Sequence, residues 1–93
     1  MGRTRRPQPA ELKRKLVAIR KSFDWTMDQM ADKLRRSGAE ETIHSGYVAD
    51  FEAGKREPSL FALLAYSCVA NVSINILVDD SRHLPKKLPA PES

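Results

Sequence analysis

From Ala10 onward, apolar residues recur along the chain at helical spacing. Leu12, Leu16, Ile19 and Phe23 are four, three and four apart, which lines one face of a first helix. Pro9 stands at or just before its first turn, where a missing N–H does no harm, and Ser22–Asp24 closes it. A second helix starts at Thr26. With Gln29 three residues on, Thr26 makes a capping-box pattern, and Trp25 and Met30 match the hydrophobic staple that sets the entry angle. Met27, Met30, Ala31 and Leu34 form its stripe, and small Ala31 marks where another helix can come close.

Arg35–Thr42 breaks the period, with Gly38 able to take the left-handed conformation that stops a helix. Ile43, Val48 and Phe51 then share one face of a short third helix placed at Ser45–Ala53, which Gly54 ends. Pro58 pushes Glu57 away from helical backbone, and Ser59 caps a fourth helix whose inner face reads as Leu60, Leu63, Leu64 and Ser67 or Cys68. Asn71 is its expected C-cap. Ser73, staple-flanked by Val72 and Leu77, opens a short fifth helix with Ile74, Leu77 and Val78. No segment alternates with period two. The pattern predicts an all-α domain over residues 10–80, between an arm at 1–9 and a flexible tail at 81–93, both rich in proline and without apolar period.

At 93 residues the chain is one domain with a small core, which excludes a cleft enzyme with a separate cofactor domain. The longest stretch free of charge and proline, Ser59–Val78, is too broken by Tyr66, Ser67, Asn71, Ser73 and Asn75 to cross a membrane. No secretory h-region opens the chain, and the lone Cys68 can form no internal disulfide, so a reducing cytoplasm is the expected location. One cysteine and two distant histidines, His44 and His83, give no metal-ligand spacing. Neither histidine has a nucleophile or carboxylate arrangement to work with, so no enzyme, metal or cofactor is expected. Cys68 reads as a small core residue, His44 as the N-cap of the third helix and His83 as tail.

Charge adds a partner class. The net charge of +4 divides into +7 over residues 1–21, −4 over 22–54 and +1 over 55–93. A basic arm and first helix beside an acidic middle point to a polyanion for part of the surface. The competing reading is a tail that is basic for solubility alone.

The motifs sharpen this. Thr26 to Leu34, then Ile43 to Glu52, then Gly54-Lys55-Arg56-Glu57-Pro58-Ser59 resemble the Cro/C1-type (XRE) helix-turn-helix family. There a small alanine in the second helix is followed by a third helix ending aromatic-Glu-x-Gly-x-Arg-x-Pro, here Ala31 and then Phe51, Glu52, Gly54, Arg56 and Pro58. The resemblance runs from Leu12 to Asp80. It implies a five-helix, lambda-repressor-like fold that binds double-stranded DNA as a transcriptional regulator. It also implies that the fork of Arg20 clamps Glu52, tying the first helix to the third. Three features depart from the family pattern. Eight residues, Arg35–Thr42, stand where one is usual, as a loop or as an extension of the second helix through Arg36. Met27 replaces a phosphate-holding glutamine. The outward face of the third helix holds Gly46, Ala49, Asp50 and Ala53, with Ser45 and Tyr47 at its margins, and none of the strongest base readers.

On that resemblance, Ser45, Gly46, Tyr47, Ala49 and Asp50 are the candidate groove contacts, against a merely solvated face. Lys55 and Arg56, then Arg35 and Arg36, are the candidate phosphate contacts. Arg3, Arg5 and Arg6 make an arm able to enter a minor groove, or an untethered terminus. Asp24, Asp28 and Asp32 form a ridge that reads as solvated charge, with RNA polymerase contact the sharper alternative. Phe61, Tyr66 and Ile76 are candidates for the seam of a homodimer, which would set two recognition helices about 34 Å apart on a two-fold site. The expected protein is thus a nucleoid-associated DNA-binding regulator. The second expectation is an antitoxin-like or other protein-interaction subunit on the same scaffold.

Overall fold

A computed structural model of the protein describes residues 10–85; the arm arginines Arg3, Arg5 and Arg6 lie outside the described residues. Those residues form α1 (Leu12–Ser22), α2 (Met27–Arg36), α3 (Ser45–Ala53), α4 (Leu60–Ala70) and α5 (Ile74–Val78), with no strand among them. The architecture is all-α, and every start after α1 carries a side-chain cap. Thr26 and Gln29 close a reciprocal capping box, while Ser59 and Ser73 accept from backbone N–H groups two or three residues on. Each such cap is worth about 1 kcal/mol.

The ends are equally specified. Ala39 N–H reaches back to the Leu34 carbonyl and Gly38, at φ 109°, takes the left-handed position between them, so α2 ends in a Schellman turn. Asn71 does the same for α4 at φ 57°. α1 ends the same way, with Asp24 at φ 59° and the Trp25 N–H reaching back to the Arg20 carbonyl.

The core is one cluster. Leu12, Leu16 and Ile19 of α1, Met30, Ala31 and Leu34 of α2, and Val48 and Phe51 of α3 meet Ala62, Ala65, Tyr66, Val69 and Ala70 of α4 and Leu77 of α5. Ala39 and Ile43 bury the long connection at both ends, so α2 does run through Arg36 and the remaining loop is pinned over the core.

Two helix ends are satisfied across the molecule. Asp80 accepts from the N–H groups of Ala10 and Glu11 at 2.9 and 3.0 Å, capping α1 from the far end of the chain. Lys15 is buried and sends its ammonium to the carbonyls of Ile76 and Asp79 at 2.6 and 3.0 Å, capping the C-terminus of α5. The segment after α5 also stays on the body, since Leu84 packs against the core.

One helix faces differently from the sequence expectation. α4 points Ala62, Ala65, Tyr66, Val69 and Ala70 inward, whereas Leu60 and Leu64, expected inside, are 62% and 41% exposed. Cys68, read as a core residue, is exposed too. Small alanines let α2 approach α4 closely, and Tyr66 fills the space beyond them.

Candidate nucleic-acid interface

α3 is too short to hold itself, so its orientation comes from what grips it. Arg20 of α1 sends Nε to one carboxylate oxygen of Glu52 at 2.7 Å and Nη2 to the other at 3.0 Å. Both side chains are largely withdrawn from water, and Nη1 of Arg20 also donates to the Trp25 carbonyl. The bond to Glu52 raises the Arg20 pKa, against the opposing effect of burial. This two-point contact fixes the rotation of α3 about its axis in a way a lysine would not. A second grip is aromatic: His44, Tyr47, Phe51 and Tyr66 stack edge to face from the surface into the core.

The start and end of α3 are shaped by two glycines. His44 caps the helix by accepting from Gly46 N–H at 3.0 Å, and its ring lies so close that a Cβ on Gly46 would meet it at 2.8 Å. Gly46 is therefore required by the cap, whatever lies outside it. Gly54 ends the helix at φ 77°, and the Lys13 side chain lies across it, 3.2 Å from where a Cβ would stand.

The outward edge is small and short of cations. Gly46 and Ala53 are exposed, and Ser45, Ala49 and Asp50 are half-exposed. Tyr47 is half-buried and committed to packing, with the Arg56 guanidinium 4.3 Å above its ring. Arg56 also leans toward Asp50, Nε to carboxylate 3.7 Å, at the mouth of a shallow groove lined by Glu40, Thr42, Tyr47, Glu57 and Ser59. Lys55 is exposed beside it. Lys13 joins these two cations at the end of α3. Its place in α1 gave no signal in the sequence beyond the general basicity of that helix.

The other candidates are less free. Arg35 donates to the Ile43 carbonyl and leans on Asp32 at 3.6 Å, holding the end of the connection to α2. Arg36 pairs with the same Asp32 at 3.1 Å but is otherwise exposed. Asp32 is thus engaged, while Asp24 and Asp28 of the acidic ridge form no ion pair among the described residues. Of the three seam candidates, Phe61 is 59% exposed and Ile76 is half-buried. Tyr66 is corrected: it lies wholly in the core, on the inward face of α4, and can touch no second subunit. Its hydroxyl has no hydrogen-bond partner among the described residues, and burial is the main cause that pushes its pKa far above the usual phenol value.

A short helix gripped from inside, small along its outer edge and ending in cations, occupies the position of the DNA-entering helix in helix-turn-helix proteins. Residues 16–77 match a helix-turn-helix family model, more than half of the chain, and the protein belongs to this DNA-binding family in its Cro/C1-type (XRE) branch. No curated protein and no solved structure matches the chain. No described helix is long and apolar enough to cross a membrane.

Proposed function

We propose that the protein regulates transcription as a homodimer bound to a two-fold site on duplex DNA, with the outer edge of α3 in the major groove. The observation that carries this is the clamp: Arg20 and Glu52 fix α3 so that Ser45, Gly46, Ala49 and Asp50 form a nearly side-chain-free edge. Such an edge admits close approach to base pairs, where Ala49 can meet a thymine methyl and Asp50 can accept from cytosine N4. Because no arginine, lysine, asparagine or glutamine stands there, shape readout supplies much of the preference. Lys55 and Arg56 at the end of α3, with Lys13 beside them, supply affinity by neutralising phosphates, and Arg36 adds to this from α2.

The test is affinity for a fixed duplex across a salt series. A Lys55→Ala/Arg56→Ala double variant should bind roughly 10- to 100-fold more weakly near 0.1 M salt, and its log-log salt slope should flatten by about 2. Wild-type affinity and slope in that variant would remove the mechanism.

A protein-interaction role draws support from a specific feature: Glu40 and Glu57 line the groove that holds Arg56, beside Asp50, so the surface next to α3 is acidic for a DNA-binding face. A purified protein that ignores duplex at low salt yet co-purifies with a fixed partner would favour that antitoxin-like reading.

A further inference from the structure

The clamp at Glu52 grips α3 near its last turn. Ser45 and Gly46, which open the groove edge, stand seven and six residues earlier, about 10 Å along the axis. A rod held at one end can still swing at the other. An edge without long side chains also has nothing to stretch toward a base that has moved away. The first turn of α3 therefore needs a hold of its own.

Residues 37–44 join α2 to α3, and two polar contacts fix where they deliver the chain. From α2, Nη1 of Arg35 donates to the carbonyl of Ile43, while Nη2 faces Asp32 one turn back at 3.6 Å. One residue later, the His44 ring accepts from Gly46 N–H at 3.0 Å, and the His44 carbonyl accepts from Tyr47 and Val48 N–H at 2.9 and 3.2 Å. Ile43 itself is buried.

We propose that Arg35 and His44 are positioning residues for DNA recognition, which hold the first turn of α3 and so set how the Gly46–Asp50 edge meets the bases. This rests on the duplex-binding reading above and takes Arg35 out of the phosphate contacts. Its side chain is 34% exposed with both Nη atoms engaged, whereas that of Arg36 is 74% exposed. Turning Arg35 toward a phosphate would strip the Ile43 carbonyl of its donor, a cost that Arg36 does not face. The length of the connection gives the brace its purpose. Each added residue widens the set of positions from which α3 can start, and Arg35 narrows that set again at its last step. His44 acts at the same point, because its cap orders the N–H groups that open the helix. A phosphate contact changes affinity for every duplex alike. A positioning residue changes the difference between duplexes.

Amide exchange of the free chain and duplex competition test this together. In Arg35→Met and in His44→Ala, exchange at Tyr47 and Val48 should quicken about 5- to 10-fold, as for one lost hydrogen bond, with the α4 amides unchanged. The DNA probes are the duplex most enriched from a random pool and a scrambled duplex of equal length. Both variants should lose about 5- to 10-fold of the preference for the enriched duplex, comparable with one mismatched base pair. Their log-log salt slope on the scrambled duplex should stay that of the wild type. His44→Asn keeps an acceptor at the cap position and should restore both exchange and preference.

A salt slope flatter by about 1 in Arg35→Met, with preference retained, would make Arg35 a phosphate contact and overturn the proposal. Faster exchange spread evenly over all five helices would do so too, since it means only a less stable fold. Local loosening with preference retained, or a His44→Asn that behaves as His44→Ala, would count against it equally. The duplex-binding reading fails by a different result. Local loosening in a chain that enriches no duplex removes that reading and leaves the brace on α3 standing. Wild-type exchange in both variants of a chain that does enrich one removes the brace alone.

Discussion

α2 and α4 differ by one residue in length and both start from a hydroxyl cap, yet they meet the core by different rules. α2 alternates charge and apolar side chains around its circumference. Asp28, Asp32, Lys33, Arg35 and Arg36 mark the side that must stay wet, and Met30, Ala31 and Leu34 are buried opposite them. α4 has no such mark. Its apolar residues surround the helix, so hydrophobicity cannot choose a face, and packing volume chooses instead. Ala62, Ala65 and Ala70 admit the neighbouring helix, and the larger Leu60, Phe61 and Leu64 are left outside. Where charge sets the pattern, periodicity identifies the buried side. Where it does not, side-chain volume decides which apolar residues stay in water.

Leucines at matching pattern positions on the two helices break or sharpen this contrast. Leu34→Ala, fully buried on α2, should cost about 2–5 kcal/mol in a denaturant melt. A value below about 1 kcal/mol would show the α2 face misassigned. Tyr66→Phe, inside α4, should hold stability or raise it by up to about 1 kcal/mol, because its hydroxyl is buried without a partner among the described residues. A clear loss would mean that the hydroxyl is satisfied and that the α4 interior is polar at that point. A smaller effect is confined to acid. The N–H groups of Glu11 and Ala10 hold the Asp80 pKa below the usual carboxylate value. The resulting stabilisation is present above about pH 4 and disappears as pH falls through the lowered value. Asp80→Asn should therefore flatten the acid limb of stability against pH and leave the slope at neutral pH unchanged. Leu64→Ala, on the outer side of α4 and 41% exposed, should cost no more than about 1 kcal/mol. A larger loss would bring α4 back to the face first expected.

Much of this molecule is written locally. Thr26 with Gln29, Ser59, Ser73 and Gly38 each act on backbone within a few residues, and the structure uses each at the helix end where the sequence points to it. The residues that close the fold over distance are not legible that way. Asp80 caps a helix 70 residues earlier, and Lys15 reads as a surface cation until α5 comes to lie beside it. At the interface, the composition of the α3 edge is plain in the sequence. What the sequence hides is that Gly46 is held by the His44 cap, that Arg56 rests on Tyr47, and that Lys13 lies against Gly54. These are contacts set by how exposed side chains come to lie once the helices are packed, which no local pattern encodes.

The measurement that reaches the centre of the account is selection of bound sites from random duplexes by the full chain at low salt. An enriched inverted repeat, with half-sites one helical turn apart, is the expected result, because the proposed homodimer would bring two clamped α3 edges to DNA about a two-fold axis. A protein that retains no duplex, or that enriches single sites with no symmetry, would contradict it.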